Sequence, residues 1–168
     1  MATEPRLATA DDLDAVANIY EQARIFMREH GNPTQWGSSR PSRADSAADS
    51  EAGHLWVIDE GTGPLAVLAL MPGPDPDYAH IEGPGWLNDD PYWVMHRLAV
   101  GVSGQGLGSR FLSWVCEQHP NVRADTHEQN IPMQHTLAAC GFVSCGTIWF
   151  EGRDPRLAYH YVRDKEAH

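Results

Sequence analysis

Basic residues are scarce in this 168-residue chain: 12 Lys and Arg stand against 23 Asp and Glu, a formal net charge of −11. A surface so acidic repels nucleic acid and anionic lipid and attracts cationic small molecules, besides keeping a protein soluble. Cysteine is sparse too. Cys116, Cys140 and Cys145 are three, so they cannot all pair, and nothing near the N-terminus reads as a secretory leader. Together these features predict a reducing cytoplasm. No apolar run approaches the roughly 18–20 residues that a spanning helix needs. Zinc-type pair spacing is missing among His127, His135, Cys140 and Cys145, and EF-hand spacing is missing from the acidic stretches, so no metal is expected. Internal repeats and low-complexity tails are lacking. What is present is a globular composition, 42% hydrophobic and 21% charged, of a length that most simply makes one domain over residues 1–168.

Hydrophobic periodicity divides the chain into short elements. Residues 5–9 read as a strand. Asp11 reads as the N-cap of a helix carrying Leu13, Val16, Ala17, Tyr20 and Met27 on one face, stopped by Gly31 and Pro33. A loop through Trp36 and Gly37 follows, and Ser42 with Asp45 forms a capping-box start to an alanine-rich helix. Residues 54–60 and 65–71 are strands joined by Gly61-Thr62-Gly63. Residues 72–91 make a long connection with Asp75, Asp77, Glu82, Asp89 and Asp90 and no Lys or Arg. A strand over 92–100, a helix from Gly106, a strand over 122–127 and a helix over 131–140 come next. Strands over 142–150 and 157–162 finish the chain. The order β-α-α-β-β-β-α-β-α-β-β is that of an α/β (α+β) fold, with a mixed central sheet of about seven strands and about four flanking helices.

The segment from His96 to Arg110 carries the chemistry. The strand residues His96-Arg97-Leu98-Ala99-Val100 run into a glycine-rich loop that opens a helix, a design that offers uncovered N–H groups and positive dipole to a phosphate. Spacing separates three such designs. A kinase-type loop closes on Gly-Lys-Ser/Thr, but Gly106 is followed by Leu107 and Gly108. The dinucleotide fingerprint G-x-G-x-x-G fits Gly104 and Gly106 and ends on Ser109 instead of glycine.

Ser103-Gly104-Gln105-Gly106-Leu107-Gly108 resembles the acyl-CoA loop of the GNAT N-acyltransferases, usually written Arg/Gln-x-x-Gly-x-Gly/Ala. Ser103 departs from the usual first residue. The element order also resembles that family over essentially the whole chain, as do Asn130 before the short helix and Gly141-Phe142 after it. The resemblance implies a single GNAT-like domain splayed between its fourth and fifth strands, with acetyl-CoA or a related acyl-CoA as co-substrate in the slot. Leu98, Ala99 and Val100 would line the pantetheine arm. Gln105, Gly106, Leu107, Gly108, Ser109 and Arg110 would hold the pyrophosphate, with Asn130 nearby. A backbone N–H of the strand would face the thioester oxygen.

The implied reaction is direct attack by an amine of a small-molecule acceptor. An alkylamine starts near pKa 10.4, so a base is needed. His96, His127 and Glu82 are the candidates, and each also has a structural reading as a packed or solvated residue. Trp36, Tyr92 and Asp125 are candidates for the acceptor pocket, with Asp125 alternatively pairing with Arg123 on its own strand. Family members often carry a tyrosine four residues before the Gly of Gly-Phe; Leu137 stands there, and neither Cys140 nor Tyr159 is assigned as the acid. Two other readings stay open. One is a non-catalytic acyl-CoA-binding sensor or partner protein; under either reading a homodimer is an allowed assembly. The other is a dinucleotide-dependent oxidoreductase, disfavoured because the loop lies after residue 100.

Overall fold

Strand β1 (Arg6–Leu7) opens the chain in the computed structural model, which describes residues 3–36, 40–102 and 104–163. Gly37 and Ser103 of the motifs above lie outside the described residues. A 3-10 turn, Ala10–Asp12, leads into helix α1 (Leu13–Glu29). The helix start expected at Asp11 is displaced: Thr9 caps the turn, and Asp12 closes the box by accepting the Thr9 N–H at 2.8 Å. Asp12 has the better partner, since Arg6 meets its carboxylate at 2.7 Å and holds it below the usual aspartate range. Helix α2 (Arg43–Glu51) starts as the spacing predicts. Ser42 Oγ accepts from Asp45 N–H at 3.1 Å, and Asp45 Oδ2 accepts from Ser42 N–H at 2.8 Å.

Strands β2 (Leu55–Asp59), β3 (Pro64–Pro72) and β4 (Trp93–Val100) follow, then helix α3 (Leu107–Gln118), β5 (Asn121–Thr126), helix α4 (Ile131–Ala139), β6 (Val143–Phe150) and β7 (Asp154–Val162). They form a seven-stranded mixed sheet ordered β1-β2-β3-β4-β5-β7-β6, the architecture read from the sequence. Strand β7 begins earlier than expected because Asp154 and Pro155 already pair with Phe150 and Trp149 across a hairpin. The connection over 72–91 is built rather than open: it holds a 3-10 turn, Pro76–Tyr78, and a bridge from Glu82 to Thr147.

The chain divides into two compact units, residues 1–70 with 96–111 and residues 71–95 with 112–168. In the first, Val16, Ile19 and Tyr20 of α1 pack on Leu55, Val57, Val67 and Ala99 of the strands. Each such aliphatic burial contributes about 1.5–3 kcal/mol against leaving the side chain in water. In the second, Tyr78, Val94, Cys145, Ile148 and Ala158 form the core, flanked by Ile81, Trp86 and Tyr92. Strand β5 pairs with β7 along its whole length, whereas its parallel register with β4 comprises Trp93↔Val122 and Val94↔Arg123. That short ladder sits where the sequence reading puts the splay. Among the described residues no helix is long and apolar enough to cross a membrane.

Candidate active site

In the first unit the phosphate-type segment is one continuous piece of chain. Strand β4 carries a non-glycine residue in the left-handed region, Arg97 at φ 55°. Such a residue in mid-strand costs about 1–3 kcal/mol and rotates the next peptide out of the pleated alternation. Two contacts hold it there, and Trp36 braces one of them. Tyr20 Oη donates to the Arg97 carbonyl at 3.0 Å, the Arg97 guanidinium meets Asp49 of α2 at 2.5 Å, and Trp36 packs edge-on against Tyr20 with centroids 5.6 Å apart. Burial pushes the Tyr20 phenol far above its ordinary pKa, so it stays protonated and stays a donor.

After Val100 the backbone turns on Gly101, whose N–H reaches the Leu65 carbonyl at 2.8 Å. Gly104 and Gly106 are left-handed, at φ 81° and 68°, and a Cβ at either would meet nothing within 4 Å. Their main chain therefore faces open space. Arg110 N–H bonds the Gly106 carbonyl at 3.0 Å, which starts α3 and leaves its first N–H groups without intrahelical acceptors. Leu107 and Phe111 are buried and anchor that end. The Arg110 side chain is matched by Glu60 at 2.7 Å and by the Thr3 carbonyl at 3.2 Å, which leaves the main chain as the candidate anion cradle. His96, Leu98, Ala99, Val100 and Gln105 through Arg110 thus share this segment, and Trp36 joins it through Tyr20.

In the second unit a polar and aromatic cluster lies under the connection over 72–91. Tyr78 is buried and donates its hydroxyl to Asp125 Oδ2 at 2.6 Å, a short charge-assisted bond. Burial and the Asp125 carboxylate drive the Tyr78 phenol far above its ordinary pKa. Arg123 does not pair with Asp125 as one reading of the strand allowed. Its guanidinium lies over Trp86 at 4.3 Å and Tyr92 at 4.0 Å and donates to the Asn88 carbonyl at 2.8 Å. Tyr92 is also an anchor: its hydroxyl accepts the Asp75 N–H at 2.9 Å, and its ring lies where a Cβ on Gly73 would be, 2.6 Å away.

The remaining expected residues fall as follows. His127 Nδ1 accepts the Gln129 N–H at 3.0 Å, which occupies the lone pair a base would use, and burial lowers its pKa. Glu82 is exposed and lines a cavity of about 370 Å³ with Asp77, His80 and Trp149. Asn130 caps α4, its Oδ1 accepting from Met133 N–H at 3.2 Å. Leu137 is fully buried core. Sequence reasoning did not single out Tyr20, Arg97 and Tyr78, which the structure places against the candidate residues. Tyr20 was visible as a core position on its helix face, but a phenol aimed at a strand carbonyl 77 positions away leaves no periodic signal.

One buried histidine fixes the cluster. His160 Nε2 lies 2.6 Å from Asn121 Oδ1, and its Nδ1 accepts the Leu87 N–H at 3.0 Å. Burial, aided by the Arg123 charge, pushes its pKa down to about 4. The unfolded chain titrates this group near 6.5 and takes up its proton first, so the neutral ring stabilises the fold above about pH 6.5. That contribution, of the order of 3 kcal/mol, is lost progressively as pH falls toward 4. Thermal unfolding of the protein and of His160→Gln should therefore diverge above pH 6.5 and converge near pH 4, and parallel curves would contradict this.

No protein-family model matches the chain. The chain is similar to a GNAT-family acetyltransferase from Streptococcus agalactiae, with 32% identity, a TM-score of 0.88 and 96% of each chain covered. It therefore belongs to the GNAT family of acetyltransferases. It is also 28% identical over 111 residues to the uncharacterised N-acetyltransferase YesJ of Bacillus subtilis, across 64% of this chain and 60% of that protein's length. A phosphinothricin acetyltransferase of the GNAT superfamily from Sinorhizobium meliloti, solved in complex with AcCoA, shares the fold at 15% identity and TM-score 0.66, covering 100% of this chain and 92% of that one.

Proposed function

We propose that the protein transfers an acetyl group from acetyl-CoA to an amine of a small-molecule acceptor, by direct attack in a ternary complex. The observation that carries this reading is the segment His96 to Arg110, with its left-handed residue in β4 and its two left-handed, uncovered glycines at the start of α3. Acetyl-CoA supplies an activated thioester. The N–H groups from Gln105 to Ser109 hold the pyrophosphate, and the main chain of Leu98 and Val100 pairs with the pantetheine arm. Asp125, oriented by Tyr78, holds a cationic group of the acceptor. Of the three candidate bases His96 is the one we propose. It lies on β4 beside Arg97, whereas His127 has its Nδ1 lone pair occupied and Glu82 lines a cavity of its own. We place the protein in the cytoplasm, in keeping with three cysteines that cannot all pair.

The test is release of CoA thiol from acetyl-CoA with 1,5-diaminopentane and 1-aminopentane as acceptors. Amine-dependent release is expected, and its absence across both amines favours the second reading, acyl-CoA binding without efficient turnover. That second reading draws on Leu137, which fills the family's usual tyrosine position with buried hydrocarbon. Gly106→Ala tests the cradle. A Cβ at φ 68° costs about 1–2 kcal/mol and displaces the N–H groups around it, so kcat/KM for acetyl-CoA should fall about tenfold. An unchanged value would place the pyrophosphate elsewhere.

A further inference from the structure

Resting on that reading, we infer that the Leu98 N–H is the strand donor facing the thioester oxygen, and that Tyr20 is a positioning residue which sets and strengthens it by hydrogen-bonding the Arg97 carbonyl of the same peptide. The bond in question runs from Tyr20 Oη to the Arg97 carbonyl at 3.0 Å, and that carbonyl and the Leu98 N–H are the two ends of one amide plane. A carbonyl that accepts a hydrogen bond draws electron density from its own N–H. Such coupling strengthens the next bond by about 10–30% in condensed phase, and more firmly fixes the direction in which it points.

The surroundings are those of a fixed lever. Arg97 at φ 55° leaves the β4 pleat, so the Arg97–Leu98 peptide takes its orientation from local contacts as well as from the ladder. Tyr20 is 1% exposed and sits in the α1 core beside Val16 and Ile19, where its ring has no room to swing. Trp36 meets the ring at 81°, the edge-on geometry that aromatic pairs favour. Asp49 clamps the Arg97 side chain at 2.5 Å and so secures the same residue from its other end. A buried phenol kept protonated by its setting donates at every working pH. Nothing about a core tyrosine requires its hydroxyl to be spent on the one strained peptide of a strand. A phenylalanine there would pack as well and leave that carbonyl unmade.

The role is separable from fold and from the acceptor. Hydrolysis of acetyl-CoA by water, read as free thiol, passes through the same developing oxyanion and needs no amine. Water's oxygen bonds the acyl carbon, the C–S bond breaks, and CoA leaves as its thiol with acetate as the other product. Tyr20→Phe is expected to lower kcat for this hydrolysis about three- to tenfold with KM for acetyl-CoA within about twofold, because the donor acts where charge develops. The Leu98 amide proton should move upfield in the 1H–15N spectrum of the variant. Val16→Ala, one turn away in the same core, is the control: it lowers Tm without touching the bond and should leave kcat unchanged. An unchanged kcat in Tyr20→Phe, an unmoved Leu98 resonance, or an equal loss of kcat in Val16→Ala would overturn the inference. Failure of the acetyl-CoA reading itself would show separately, as no change in the Tm of the unaltered protein on adding acetyl-CoA.

Discussion

Replacing Asp125 with Asn is expected to raise KM for 1,5-diaminopentane roughly 10- to 100-fold, the range lost when a hydrogen bond to a charged group becomes neutral. The KM for 1-aminopentane should stay within about twofold under the same change, as should that for acetyl-CoA. The asymmetry follows from proton affinity. An alkylamine holds its proton about six pH units more tightly than a carboxylate does, so a carboxylate grips an ammonium instead of deprotonating it. The amine that attacks must be neutral, and a cation held by a carboxylate is then a second group on the acceptor. Asn keeps the shape and can still accept the Tyr78 hydroxyl, now 2.6 Å from Asp125 Oδ2, so the variant removes charge and little else. Steady-state kinetics with the two amines of equal chain length decides the matter. Equal losses on both amines would make Asp125 a structural residue.

Gly146→Ala should be the most damaging single methyl in the second unit. Gly146 sits at φ 128° in the bulge of β6, and a Cβ there would lie 2.1 Å from the Glu82 carbonyl oxygen and 3.1 Å from the carbonyl carbon. Those atoms are backbone, and they are held: Glu82 N–H donates to the Thr147 carbonyl at 3.0 Å and Thr147 N–H returns to the Glu82 carbonyl at 2.8 Å. The methyl therefore breaks the bridge that docks the connection onto the hairpin. The expected cost is about 3 kcal/mol, or a fall in Tm of roughly 6–12 °C for a chain this long. Gly61→Ala is the matched comparison, with a similar φ of 109° and nothing within 4 Å of its Cβ, so it carries backbone strain alone. Equal Tm values for the two variants would contradict the close approach.

What could be read in advance, and what could not, divides along the range of the interactions. Element order was legible because it rests on local signals. Ser42 and Asp45 are three positions apart, and Gly104 and Gly106 announce their left-handed turn by being glycine. The Thr9–Asp12 box was equally local, yet Asp11 competed for it, and Arg6 decided between them from the neighbouring strand. The contacts of the candidate site are long-range. Arg123 looked like a partner for Asp125 two positions on, but the faces of Trp86 and Tyr92 claim it from a connection some thirty residues earlier in the chain. Tyr78 lies in that same acidic connection, where the charges drew attention and the buried phenol did not. Arg97 is hardest of all, since a left-handed arginine in a strand contradicts local preference and persists only through Tyr20 and Asp49.

Thermal unfolding with and without acetyl-CoA, with NADH as the control, tests the central claim most directly. A specific ligand at a hundred times its Kd adds about 2.7 kcal/mol, so acetyl-CoA should raise Tm by roughly 5–10 °C while NADH leaves it unmoved. No shift with acetyl-CoA at millimolar concentration, or an equal shift with NADH, would contradict the assignment of the segment from His96 to Arg110 as an acyl-CoA site.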